Sequence, residues 1–147
     1  MSYLVDSNVL LRLVYRLDSM HGDAENAYMV LRGQNQGLCV VPQNLIEFWV
    51  VATRPTSANG LGLTIEEAAH ESFLLKSLFT LKLDIPEVYT TWEQLVVKYQ
   101  VRGKQAHDTR LVAAMIAHQI THLLTFNTDD FKRFTEITAI NPYEISM

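Results

Sequence analysis

Short apolar runs and capped amphipathic segments alternate from one end of this chain to the other, and that alternation admits few folds. Tyr3-Leu4-Val5 is a buried-strand run ending at Asp6, and Val9 to Tyr15 has helical spacing, with Arg12 and Arg16 four apart. Asp23 stands where it can cap a helix from Ala24 to Arg32, with Gly33 and Gly37 flanking its end. Leu38 to Val41 reads as the second strand and Gln43 to Thr53 as a helix, with Pro42 in its first turn, where a missing N–H costs little. After the loop TRPTSANGLGL, Thr64 and Glu67 form a capping box that opens a helix to about Thr80. Leu81 to Ile85 is a third short strand, Pro86 to Tyr99 and Gln105 to His118 are helices, and His122 to Thr125 is the fourth strand. A helical turn over Asp129 to Phe134 and a last strand, Thr138 to Ile140, complete the pattern. The expected architecture is a single three-layer α/β/α domain over residues 1–147, with a central, mostly parallel sheet of about five strands.

Composition narrows the chemistry. The chain has 147 residues, 48% of them hydrophobic and 19% charged, which suits one ordinary globular core. Its one cysteine, Cys39, lies in the apolar run LCVV and reads as a buried structural thiol, so a disulfide within the chain and a cysteine-based zinc site are both excluded. The N-terminus has no basic start, and Asp6 interrupts its apolar run. It therefore reads as neither signal peptide nor membrane span, and a cytoplasmic location is expected. A net charge of −4 argues against broad, sequence-independent binding of a polyanion. Cations bridging to an acidic site, with a local basic rim, would still admit one.

Three carboxylates stand out. Ligands of an open parallel sheet bind beyond the carboxyl ends of its strands, and Asp6 ends the first strand. Capping of the following helix is an equally good account of Asp6 alone. Glu47 shares a helical face with Asn44, Val50 and Val51, an apolar stripe that calls for a cation, a proton or a salt bridge. Asp108 opens a helix whose inward stripe is Leu111, Val112 and Met115, and there it also gains from the helix dipole. Three carboxylates in one crevice do not stay ionised without cations between them. Oxygen ligands alone favour Mg²⁺, with Mn²⁺ an alternative. Such ions suit phosphodiester cleavage, by activating water and steadying the leaving oxygen.

In YLVDSNVLL, PQNLIEFWVVATRP, AHDTRLVAAM and LLTFNTDDFKRF the sequence resembles the PIN domain family, most closely its VapC-like toxin branch, over almost the whole chain. The resemblance implies a Mg²⁺- or Mn²⁺-dependent ribonuclease, the toxin half of a type II toxin–antitoxin pair. Asp6, Glu47 and Asp108 match three of the family's acidic positions, and Ser7 matches the small hydroxyl residue that supports the metal shell. Asn127 stands where many members carry a fourth acid, and Asp130 matches the acid just before Phe. A neutral Asn at that corner points to one tightly held cation rather than two. The family also implies an RNA substrate, a cognate antitoxin that blocks the site, and a homodimer. The acidic net charge suits a partner that brings Arg or Lys to the pocket.

Arg12, Arg16, Arg54, Lys104 and Arg110 are candidates for the basic rim, Arg54 and Lys104 foremost by their place beside the elements carrying Glu47 and Asp108. Their simpler role is a solvated helix face. Trp49 and Trp92 read as core or dimer residues, with base stacking the lesser alternative, and His107 reads as support for Asp108. Asn59-Gly60 marks a tight turn beside the site entrance. Two rivals remain. Aspartyl phosphoryl transfer lacks the DxD start, since residue 8 is Asn, and a non-catalytic PIN-like module binding RNA or protein is compatible with Asn127.

Overall fold

A computed structural model describes residues 1–146. Its strands are β1 (Ser2–Val5), β2 (Gly37–Val40), β3 (Thr80–Leu81), β4 (His122–Leu124) and β5 (Thr138–Ile140). The helices are α1 (Ser7–Val14), α2 (His21–Gly33), α3 (Pro42–Thr53), α4 (Ile65–Leu78), α5 (Pro86–Lys98) and α6 (Gln105–Ala117). The five strands pair in the order β3-β2-β1-β4-β5, and every pairing is parallel. The expected three-layer α/β/α domain is the observed one.

The period-two geometry of strands sorts the core. Tyr3, Val5, Leu38, Val40 and Leu124 pack on one face with residues of α1 to α4. Leu4, Cys39, Val41 and Leu123 pack on the other against α5 and α6. Both faces are covered, so the strands are apolar at nearly every position instead of alternating with polar residues. Cys39 is buried and free, as its apolar frame implied. Phe48 on α3 is fully buried in the first cluster. Phe48→Ala is expected to cost about 3–5 kcal/mol, read as a fall in the urea midpoint. A loss near zero would mean that α3 is not seated as described.

Several boundaries differ from the sequence reading. The second helix begins at His21 with Met20 as its cap, so Asp23 lies in the first turn and caps nothing. That helix also runs through Gly33; the turn after it is made by Asn35 at φ 58, a left-handed conformation that Asn tolerates. β3 is Thr80–Leu81, not Leu81 to Ile85, because it is an edge strand with one partner and β2 offers it only Cys39 and Val40. The helical turn near the end is a short 3-10 segment, Thr128–Phe131. Pro42 and Pro86 each start a helix, and Asn44 Oδ1 accepts the Val41 N–H at 2.9 Å to close the entry to α3. Among the described residues, no helix is long and apolar enough to cross a membrane.

The Asn59-Gly60 turn forms, with Asn59 at φ 63 and a backbone approach at Gly60 that a Cβ would block at the Arg54 carbonyl. It follows the end of α3 and lines a cavity with Tyr15, Asp18, Thr56 and Leu61.

Candidate active site at the carboxyl edge of the sheet

The strand order reverses direction at β1, which lies between β2 and β4. The crevice at this switch point is bounded by the ends of β1 and β4, the first turns of α3, and the first turn of α6. α6 leads into β4, so it runs antiparallel to the strand and presents its N-terminal turn at the carboxyl edge. Asp6, Glu47 and Asp108 are therefore carried to one edge from three separate elements.

Asp6 is 6% exposed and belongs to two structures at once. Oδ1 accepts the Ser7 N–H at 2.8 Å, which makes Asp6 the N-cap of α1. Oδ2 accepts the Thr125 hydroxyl at 2.8 Å and, more weakly, the Asn8 amide at 3.5 Å. The capping and crevice accounts of this residue are thus compatible. Burial pushes its carboxyl up to about 6, against the pull of the Thr125 and Ser7 bonds, and the negative field of Glu47 adds to the rise.

Glu47 is half-buried, less enclosed than its apolar stripe suggested, because Val50 on that stripe is 49% exposed. Its Oε1 accepts from Gln43 Nε2 at 2.8 Å, and the Ser7 hydroxyl donates to Oε2 at 3.4 Å. Ser7 therefore touches Asp6 through its backbone and Glu47 through its side chain. Asp108 is half-buried above the buried stripe Leu111, Val112 and Met115. Burial, then the fields of Asp6, Asp130 and Glu47, push its carboxyl up to about 6, while His107 pulls the other way. The fields of three other acids thus converge on Asp108.

Sequence reasoning passed over three supports. Asn8 donates to Thr125 Oγ1 at 3.0 Å, and its Oδ1 accepts the Phe126 N–H at 3.1 Å, tying α1 to the end of β4. Thr125 is buried beside Asp6 because Val5 pairs with Leu124, so the next residues of both strands are neighbours. Gln43 Nε2 also donates to the His107 carbonyl at 2.8 Å, sewing α3 to the first turn of α6. The Gln43–Glu47 spacing of four was a visible signal; Asn8 and Thr125 had none without the β1–β4 register.

The remaining candidates separate. The Asn127 side chain is exposed and joins none of these hydrogen bonds, whereas the exposed Asp130 contributes to the field on Asp108. Lys104 caps α6 one turn before Asp108. Arg54 closes the far end of α3, seven residues and about 10 Å along the axis from Glu47, and its side chain joins none of these hydrogen bonds. Arg110 is nearer: it donates to Gln43 Oε1 at 3.3 Å. Trp49 packs against one core cluster, and Trp92 against the other with Nε1 donating to the Ala106 carbonyl at 2.8 Å. Among the described residues, no three His, Cys, Asp or Glu side chains are already closed to metal-ligating distances. The donor set nevertheless suits a hard divalent cation, being all oxygen and held in mutual repulsion that a cation relieves.

An all-parallel α/β domain with an acidic crevice at its switch point is the class defined here. The PIN domain model matches residues 3–137, and the chain belongs to the PIN domain family. No curated protein matches the sequence. Among solved structures, the fold resembles VapBC2 from Rickettsia felis bound to a DNA fragment from its promoter, at TM-score 0.72 and 16% identity over 96% of this chain and 98% of that one. It resembles VapBC-1 from nontypeable Haemophilus influenzae at TM-score 0.71 and 15% identity, over 97% and 98%. A third, Mycobacterium tuberculosis VapC20, a sarcin-ricin loop cleaving toxin, gives 0.65 and 15%, over 90% and 95%. At such identities the likeness speaks for the fold.

Proposed function

We propose that this protein is a Mg²⁺- or Mn²⁺-dependent endoribonuclease acting in the cytoplasm, the toxin of a toxin–antitoxin pair. The observation that carries the reading is the convergence of Asp6, Glu47 and Asp108 at the switch point of a PIN domain, where burial and mutual repulsion hold the Asp6 and Asp108 carboxyls near 6. Asp6, Glu47 and Asp108 would hold the cation, with Asp130 the fourth acid in place of Asn127. Bound there, a divalent cation supplies Lewis acidity toward water and the phosphodiester.

The chain's own groups prepare the site. Thr125 and the Ser7 N–H orient the Asp6 carboxylate, and Gln43 orients Glu47 from the turn before it. The Ser7 hydroxyl spans the gap to Glu47, and Lys104 offers positive charge to an approaching phosphate. Among the described residues no histidine stands poised as a general base, since His107 meets Gln43 only through its backbone carbonyl.

Asp108→Asn leaves the stripe of α6 intact, and cleavage of mixed single-stranded RNAs with Mn²⁺ is expected to fall by about a hundredfold or more. Equal cleavage by the two proteins would defeat the nuclease reading. The solved relatives include VapBC pairs and a toxin–antitoxin complex from Klebsiella pneumoniae, which supports an antitoxin as partner and a toxin role for this chain. Self-association as a homodimer belongs to the same proposal.

A further inference from the structure

Beside the acidic crevice lies a second, mostly apolar cavity of about 390 Å³. Its walls include Pro86, Val88, Tyr89 and Trp92 along the first half of α5, with Asp84 and Arg110 at its mouth. Two features set it apart from a packing defect. The rings of Tyr89 and Trp92 lie 5.7 Å apart and tilted at 31°, with Trp92 anchored through Nε1 while Tyr89 is 63% exposed. The mouth carries a donor and an acceptor together, because Arg110 pairs with Asp84 at 2.8 Å.

The cavity is also joined to the acidic site. The same Arg110 guanidinium donates to Gln43 Oε1 at 3.3 Å, and Gln43 donates to Glu47 Oε1 at 2.8 Å. Two hydrogen bonds therefore separate its wall from a carboxylate of the trio. A chain with its backbone phosphate at the trio can reach the cavity with an adjoining base.

We propose that this cavity receives an unpaired nucleobase of the RNA substrate, stacked on Tyr89 and Trp92 with its polar edge toward Asp84 and Arg110; the proposal rests on the nuclease reading. A nucleobase is flat, apolar on its faces and polar on its edge, which is the division of chemistry the cavity offers. Asp84 does not repel the strand because Arg110 neutralises it. A duplex hides its base faces, so the cavity selects single-stranded RNA.

Affinity is measured by anisotropy of a short, labelled, mixed-sequence single-stranded RNA whose phosphodiesters are replaced by uncleavable analogues, with Mg²⁺ and the wild-type acidic trio intact. Tyr89→Ala is expected to weaken binding roughly fivefold to a hundredfold, what loss of one base–aromatic stack corresponds to. Tyr89→Phe keeps the ring and is expected to match the parent, and Trp fluorescence is expected to be quenched by RNA in both. Unchanged affinity in Tyr89→Ala overturns the proposal. So does a loss of affinity that comes with a change of oligomeric state, since a second copy would then occupy the cavity. Wild type that cuts RNA beside a Tyr89→Ala that binds it normally removes the pocket and keeps the nuclease. Tyr89-dependent binding by a chain that cuts nothing keeps the pocket and removes the nuclease.

Discussion

Asp6→Asn is expected to lose cleavage on the order of a thousandfold while making the metal-free protein more stable at neutral pH. The second half follows from the buried carboxyl. Its value rises from 3.8 to about 6 on folding, chiefly through burial. A raised carboxyl contributes stability that is fully present below its unfolded value and lost as pH rises through its folded one. At pH 7.5 the whole penalty is in force, at most about 3 kcal/mol. An amide removes the charge but serves the Thr125 and Ser7 bonds less well, so a net gain of about 1–2 kcal/mol in urea unfolding is expected. The gain should shrink toward pH 4, where the wild-type group is already neutral. A destabilised Asp6→Asn at pH 7.5 would show that hydrogen bonding, not desolvation, dominates this carboxylate.

The wild type in EDTA is likewise expected to be more stable near pH 5 than near pH 7.5, with Mn²⁺ removing the difference. Asp6 and Asp108 both titrate near 6, so both lose their contribution over the window from about 4 to 7 as pH rises. Glu67, held low by its Thr64 cap, acts in the opposite sense, but only below the ordinary carboxylate range. A cation that binds the folded state alone adds about 2.7 kcal/mol at a hundred times its Kd. For a domain of this size that is a rise in Tm of roughly 5–10 °C at pH 7.5. Asp6→Asn should lose most of that rise. A wild-type Tm that ignores Mn²⁺ at neutral pH would mean that the acids do not form a cation site.

The acidic trio was legible because each member breaks a local pattern: Asp6 ends an apolar run, and Glu47 and Asp108 sit beside apolar positions at helical spacing. The supports were not. Gln43 had its spacing to Glu47 but nothing to tie it to His107. Arg54 looked closer to Glu47 than Arg110 by residue count. A helix, however, carries residues along its axis away from the edge where it starts, and α6 brings Arg110 back across the crevice. The Asp23 cap failed because local preference for an Asn or Asp cap is weaker than the packing of Ala24 and Ala27 that sets where α2 begins.

By itself the sequence determined the alternation of strands and helices, the parallel two-faced sheet, and the three carboxylates, since propensity, caps and periodicity act over a few residues at a time. Tertiary structure alone decided that β1 lies between β2 and β4, and so that Thr125 meets Asp6 across 119 positions of chain. It also decided that α5 and Arg110 of α6 line an aromatic cavity two hydrogen bonds from Glu47. Those outcomes depend on strand order and register, which are set by how whole faces pack together and leave no mark on any short stretch of residues.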